Sequence, residues 1–473
     1  MSRCHRDWQL LLTTTTTSTL AALTILLLPH MILNLPIDVL HEIGTQLTTS
    51  HRKNLRAACR DLNSTLEPLF FSSLVLRLGE TDLLTFLSSG ESGWSRWART
   101  LRIIGGIEAN EIHQDRGAAR LGDALRTLKW LRTVIWNAPQ SDPQWTRDII
   151  SVFLVAPPGL CDIELDAEYS VEVPLGMISG LTRLKVTLPS YAGPKPKPLD
   201  LVPRIAKNII HNRGSLTSLH LVGPPQFVQL WTLLASQCGQ NHVQLQELTT
   251  NAVTADLLVY LASYSGLRRL NLLYAGGRTQ VESDRLADTF FETVLPLHAA
   301  SLVELQCSGC YESRWSFGTH CVDAISELHK VETLEMSVNF AGVDNAVTSL
   351  LHTATRLPAL RALVVVGTDA EANRHARCGR PRMNHIAALD PCVNAAVRAF
   401  RTDISTTSAS ASKATLRVGY VWYTLAPLSP SLEQQAQVPA EAHSTNASDV
   451  LGYREFLHPD ISWQRMRYLS EGD

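Results

Sequence analysis

The sequence predicts an α/β chain built as a solenoid. A short all-helical module comes first, then a series of strand–helix units with parallel strands on one face and helices on the other. One apolar motif, L-x-x-L-x-L, returns along most of the 473 residues. Stretches of helical periodicity fall between its copies, so each unit buries its apolar face only against its neighbours. An apolar share of 45% against 18% charged residues completes the picture of an ordered chain.

The fourth motif position is Leu74, Leu101, Val134, Ile163, Leu184, Leu219, Leu248, Leu270, Leu305, Leu334 and Leu363, with a weak last copy at Leu416. The steps run from 21 to 35 residues and cluster around 29, until a final step of 53. That is near the period of roughly 20–29 residues at which a strand and a helix stack into an array. Helical stretches are expected at 201–211, 255–264, 285–295, 321–329 and 345–355. The alternative is an ordinary parallel α/β domain with leucine-rich strands, since that class also alternates strand and helix.

Ahead of the array, Leu35-Pro-Ile-Asp-Val-Leu-His-Glu-Ile43 places Leu35, Val39, Leu40, Ile43 and Leu47 at helical spacing. Pro36 suits a first helical turn, and Asp38 and Glu42 complement the positive helix start. Gly44 interrupts the pattern and should cost roughly 1 kcal/mol relative to alanine. After the polar break Thr48-Thr-Ser-His51, a second stripe follows from Leu55 through Ala58, Cys59, Leu62 and Leu66 to Leu69. About 35 residues cannot bury such faces in a private core, so the module is expected to dock on a partner.

These pieces resemble an F-box. The resemblance rests on L-P-x-D-V-L-x-E-I from Leu35, L-R-x-x-C-R from Leu55, and Pro68-Leu-Phe-Phe71 leading into Leu74-Val-Leu76. Two features depart from the pattern: Ser50-His51-Arg52-Lys53 stands where many members carry an acidic residue, and Asp61-Leu62 where a tryptophan often follows C-R. The resemblance implies a helical domain at 34–71 that binds a Skp-family adaptor through Leu35, Pro36, Val39, Leu40, Ile43, Leu47, Leu55, Cys59 and Leu62. It further implies a link through that adaptor to a cullin–RING ubiquitin ligase. The later copies resemble the irregular leucine-rich repeats that often follow an F-box, here expected over 72–425 with an insertion at 367–413. A mobile loop and a capping segment are expected at 426–473. The chain would then be a substrate-recognition adaptor whose repeats hold a substrate protein. The alternatives are an F-box-like scaffold with no ligase role, or a secreted leucine-rich binding protein.

A net charge of −2 gives no general attraction to nucleic acid or anionic membrane, so neither is expected as a partner. Nine cysteines, scattered and odd in number, do not form a disulfide framework and fit a reducing compartment, the cytoplasm or nucleus. The segment 1–33 has the charged start (Arg3, Arg6) and apolar middle (20–28) of a signal peptide. It is too short to span a bilayer and lacks a small-x-small cleavage site. The favoured reading is an upstream extension with Met31 as the working start.

Along each strand the motif leucines point inward, and the residues between them line an exposed face, among them Arg102, Ser218, His220, Asn271, Gln306 and Glu335. Asp162, Glu164 and Asp166 suggest a metal site until the next copy is aligned, which puts Arg183 and Lys185 beside the first two. Strands about 4.8 Å apart then make a salt-bridge ladder, repeated by Glu247, Arg269 and Glu304. Cys307-x-x-Cys310 with His320-Cys321 lacks the spacing of a structural zinc site, and His375, Cys378, His385 and Cys392 are spaced irregularly. The basic run 374–382 reads as a solvated loop. No phosphate loop, dinucleotide fingerprint, nucleophile elbow or H-E-x-x-H stands in the chain. No cofactor, metal or catalytic residue is expected, and the chain is not read as an enzyme.

Overall fold

The computed structural model describes residues 35–105, 114–139, 141–167, 175, 178–188, 201–236, 243–374, 380–403, 407–408, 414–428 and 450–456. The expectations for 1–33 and for most of the loop and cap at 426–473 lie outside the described residues. The chain divides into two units, 1–135 with 141–159, and 136–140 with 160–473.

The described residues of the first unit begin with three helices, α1 (Ile37–Gln46), α2 (Thr49–Ala58) and α3 (Arg60–Phe70). Thr48 caps α2 by accepting from the His51 N–H, and the Cys59 sulfur caps α3 by accepting from the Leu62 N–H. Such caps satisfy donors that a helix start otherwise leaves unpaired. Only Phe71 and Ser72 separate α3 from β1 (Ser73–Arg77). Then come α4 (Thr81–Ser88), α5 (Gly93–Trp97), β2 (Thr100–Ile104), α6 (Gln114–Thr127), β3 (Thr133–Ala138) and α7 (Gln144–Val155). β1 and β2 pair in parallel, with Leu74 opposite Leu101 and Leu76 opposite Ile103.

In the second unit the strands are β4 (Asp162–Ala167), β5 (Arg183–Thr187), β6 (Ser218–Val222), β7 (Glu247–Thr250), β8 (Arg269–Ala275), β9 (Glu304–Gly309), β10 (Thr333–Val338) and β11 (Ala362–Gly367). After the short β12 (Thr402–Asp403) comes β13 (Thr415–Val418). From β4 to β11 and on to β13 each strand pairs in parallel with its neighbour in the series. The order follows the sequence without reversal. A doubly wound α/β sheet would turn back at a switch point; this one adds strands in one direction.

Register is what the leucines fix. Ile163, Leu184, Leu219, Leu248, Leu270, Leu305, Leu334, Leu363 and Leu416 stand side by side across nine strands. All are buried, and a one-residue slip would turn a whole row to solvent. From β5 to β11 the strands also begin on the same joint: one carbonyl accepts two consecutive N–H groups of the next strand. Thr182 receives Thr217 and Ser218, Gln246 receives Arg268 and Arg269, and Glu332 receives Arg361 and Ala362.

Helices follow the strands: α8 (Leu201–His211), α9 (Val228–Ala235), α10 (Ala255–Ala262), α11 (Gln280–Thr289), a π-helical turn (Phe290–Val294), α12 (Leu295–His298), α13 (Val322–Ser326), α14 (Val343–Arg356) and α15 (Arg380–Ala399). Buried amides brace the turns between them. Asn212 donates to the Ile178 carbonyl at 2.8 Å and accepts from the Leu181 N–H at 2.9 Å, leaving neither end of its side chain orphaned.

Two expectations change. The stretch 367–413 carries α15, which packs against α14, where an insertion was expected. Leu389, Val393 and Val397 bury one face of α15 at helical spacing, a pattern interrupted in sequence by Pro391. The sheet also runs past residue 425. β14 (Val421–Pro427) and β15 (Val450–Phe456) are antiparallel additions after β13, so the array closes on a different ladder from the one it is built with. Among the described residues no helix is long and apolar enough to cross a membrane.

Candidate functional site

Two surfaces collect the residues singled out by the sequence. The first is α1. Leu40 points into the helical packing, and Gly44 sits so close to α3 that an added Cβ would lie 2.7 Å from a Leu69 methyl and 2.8 Å from a Leu66 methyl. One flank of α1 is apolar yet open, with Val39 41% and Ile43 39% exposed, and at the helix start Ile37 is 68% exposed. Pro36 is exposed just ahead of them, and Leu35 and Leu47 are half-buried at the two ends. Scattered exposed apolar residues need no explanation, but several on one helix do.

The other named residues take different roles. Leu62 is buried with Leu66 on the inward side of α3, and Cys59 is occupied as the cap of that helix. Leu55 is half-buried on α2, a helix with no buried residue. Behind the module, the Arg56 guanidinium stacks 4.2 Å from the Phe70 ring and 4.8 Å from the Phe71 ring, while donating to Asn63. Arg52 donates to the Leu47 and Leu69 carbonyls, tying the end of α1 to the end of α3. So Leu40 and Leu62 hold the three helices together, while Pro36, Val39 and Ile43 face outward. Ile37 was missed by sequence reasoning, because its spacing from Leu40 and Gly44 matches the inward face.

The second surface is the open face of the sheet in the second unit. Lys185 pairs with Glu164, and Arg269 bridges Glu247 at 3.4 Å and Glu304 at 3.8 Å. The Thr182 hydroxyl donates to Asp162, and the Ser218 hydroxyl to Glu247. These carboxylates are therefore engaged with neighbouring strands. Burial, and next the Lys185 charge, push the His220 imidazole below its ordinary pKa. Burial raises the Glu335 carboxyl above the usual carboxylate range, against the Arg417 charge and a Ser308 hydrogen bond that lower it.

The cysteines are packing residues. Cys307 is fully buried in an inward row beside Leu272 and Met336, and burial raises its thiol well above the ordinary value. Burial likewise raises the Cys321 thiol to about 11. Among the described residues no cluster of three metal-ligating side chains occurs. His375 and Cys378 lie outside the described residues.

Arg374, the first residue of the basic run read as solvated, is instead engaged, while 375–379 lie outside the described residues. It forms two 2.7 Å contacts with Glu371, donates to the Gly277 carbonyl at 2.7 Å and lies 4.5 Å from the Tyr311 ring centre. One cation thereby ties three connecting segments together, those after β8, β9 and β11. A cavity of about 480 Å³ nearby is lined by Asp284, Glu312, Arg314 and His320, among others. Arg314 is paired with Asp288, its N–H donates to Asp284, and His320 meets the Arg314 carbonyl at 2.6 Å. These polar groups are committed to one another.

No family model matches the chain, and no characterised protein is similar enough to count as a relative. Its reading rests on its own residues.

Proposed function

We propose that the chain is a substrate-recognition adaptor of a Skp–cullin–F-box ubiquitin ligase, working in the cytoplasm or nucleus. The helical module docks on the Skp-family adaptor, and the strand array is an irregular leucine-rich-repeat solenoid that holds a substrate protein. The observation that carries this reading is the apolar open flank of α1, where Val39 and Ile43 stay exposed at i, i+4 spacing on the helix that opens L-P-x-D-V-L. An apolar helix face of this kind suits burial against a partner helix or groove. The sequential order of the parallel strands and their shared register support the repeat reading. The chain itself performs no bond chemistry; it raises the effective concentration of substrate near the charged ubiquitin.

The test is co-purification. Val39→Glu with Ile43→Glu changes two exposed residues and should leave the circular dichroism spectrum intact. It should lower recovery of the Skp-family adaptor at least roughly a hundredfold, the loss expected from burying two unpaired charges. Undiminished recovery overturns the assignment of this face. Recovery of the adaptor without any cullin favours a scaffold role outside the ligase.

A further inference from the structure

Three irregularities fall on the adjacent strands β8, β9 and β10 of the second unit. The first is a bulge. Pairing of β8 with β9 is regular from Arg269–Glu304 to Leu272–Cys307, then jumps to Ala275–Gly309. Leu273 and Tyr274 thus stand opposite the single residue Ser308, and the extra residue re-aims its side chain. The second is Tyr274 itself. Its φ of 56° makes it the non-glycine residue with positive φ among the described residues. The residue is 61% exposed. A bulky residue rarely adopts that backbone, and such outliers gather at binding sites.

The third is a row of acceptors with too few donors. Asn271, Gln306 and Glu335 are register partners on β8, β9 and β10, so they span roughly 10 Å across three adjacent strands. The Gln306 amide is turned along its own strand to donate to Glu304 at 2.7 Å. The Asn271 carbonyl oxygen is buried with no hydrogen-bond partner among the described residues. Glu335 receives the Ser308 hydroxyl. Of the nearby cations, Arg269 lies between Glu247 and Glu304, while Arg417, 5.7 Å from the Trp422 ring centre, acts on Glu335 through its charge but forms no ion pair with it among the described residues.

What is missing is a flat, multi-donor cation that can meet an amide oxygen, a carboxylate and an aromatic ring together. A guanidinium has that shape: it carries five donors in one plane and stacks on aromatic faces. An ammonium is a point charge and fills fewer of these places. We propose that Tyr274, Asn271 and Glu335 form a seat for an arginine side chain of the bound protein segment. Glu335 supplies the charge, Asn271 an acceptor, and Tyr274 the stacking surface. This rests on reading the open face as the substrate-holding surface, and it defines the substrate class as a segment presenting arginine. The desolvated state of Glu335 agrees, because a carboxylate starved of water gains most from a cation that arrives with its own donors.

The test uses the full chain, immobilised, against a displayed library of random twelve-residue peptides. The bound pool is sequenced for wild type, Glu335→Gln and Tyr274→Gly. Wild type should enrich arginine over lysine, and Glu335→Gln should lower that enrichment roughly tenfold, as expected for a charge-assisted contact. Tyr274→Gly should also lower it, while its thermal midpoint stays at or above that of wild type, since glycine accepts the positive φ freely. A ring with a merely structural role would give the opposite pattern, with lowered stability and unchanged selection. Absence of arginine enrichment, its persistence in Glu335→Gln, or equal enrichment of lysine overturns the proposal. Adaptor recovery does not enter this readout, so the proposal and the ligase reading fail separately.

Discussion

The module at 37–70 and the strand array of the second unit handle apolar surface in opposite ways. On the module, α2 buries no residue and α1 buries only Leu40 and Gly44, while Ile37, Val39 and Ile43 stay exposed. In the array, parallel strands such as β4, β5 and β9 hide alternate residues in continuous rows and show mostly polar or charged side chains between them. Apolar surface left open is a means of association; apolar surface stacked in rows is a source of stability. One chain therefore separates the two tasks, and their side chains should respond differently to the same substitution.

The largest contrast is expected between Leu334→Ala and Ile43→Ala. Leu334 is fully buried between Leu305 and Leu363, so the truncation should cost about 2–5 kcal/mol through lost transfer energy and a cavity. Ile43→Ala removes a side chain that is 39% exposed, and should cost about 1 kcal/mol. Urea unfolding of the two variants measures both, and similar losses would erase the distinction between the regions.

Gly44→Ala tests the module from inside, and its sign is informative. Helix propensity alone makes the change stabilising by about 1 kcal/mol. The short approach to the Leu66 and Leu69 methyls reverses this, because a new Cβ would overpack the α1–α3 contact. Overpacking of this kind costs about 1–3 kcal/mol, leaving a net loss of up to about 2 kcal/mol. A rise in thermal midpoint would show that α3 yields and that the module is looser than the array.

This reversal marks where the sequence stops being legible. Periodicity showed the strands, their register and the charge ladders, since those depend on spacing that repeats. The expected pairing of Glu164 with Lys185, and of Arg269 with two glutamates, is what the strands present. Periodicity could not say which side of α1 meets α3, so Leu40 and Ile43 looked equivalent though one is core and the other surface. Nor could it show that Gly44 is a point of close approach, a property of the partner helix. Tyr274 escaped for a related reason: a bulge is a mismatch between two strands and leaves no mark on either alone. Arg374 looked like part of a solvated run because its partners Gly277 and Tyr311 are distant in sequence. Thr250 stands fully buried in an inward apolar row, a place where no apolar spacing could point to it.

The smallest effect in the comparison is set by pH, and it separates the regions by chemistry. His298 in the second unit is buried, accepts from the Leu267 N–H through Nδ1 and so donates through Nε2 to the Leu261 carbonyl at 3.1 Å. Burial lowers its pKa below the ordinary 6.5, partly offset by the Leu261 contact. The unfolded chain then binds a proton more readily than the folded one, so stability rises with pH through this group. Its contribution is full above pH 6.5 and fades as pH falls toward the lowered folded value. His220 and His320, both depressed mainly by burial, act in the same direction. Hydrogen exchange between pH 7.5 and 5.5, corrected for intrinsic rates, should show α10 and α12 losing protection, while the helices at 37–70 hold theirs. His298→Gln offers an acceptor and a donor to the same partners without titrating, and should flatten its share of the slope. A slope unchanged in that variant would assign the acid sensitivity to His220 and His320 alone.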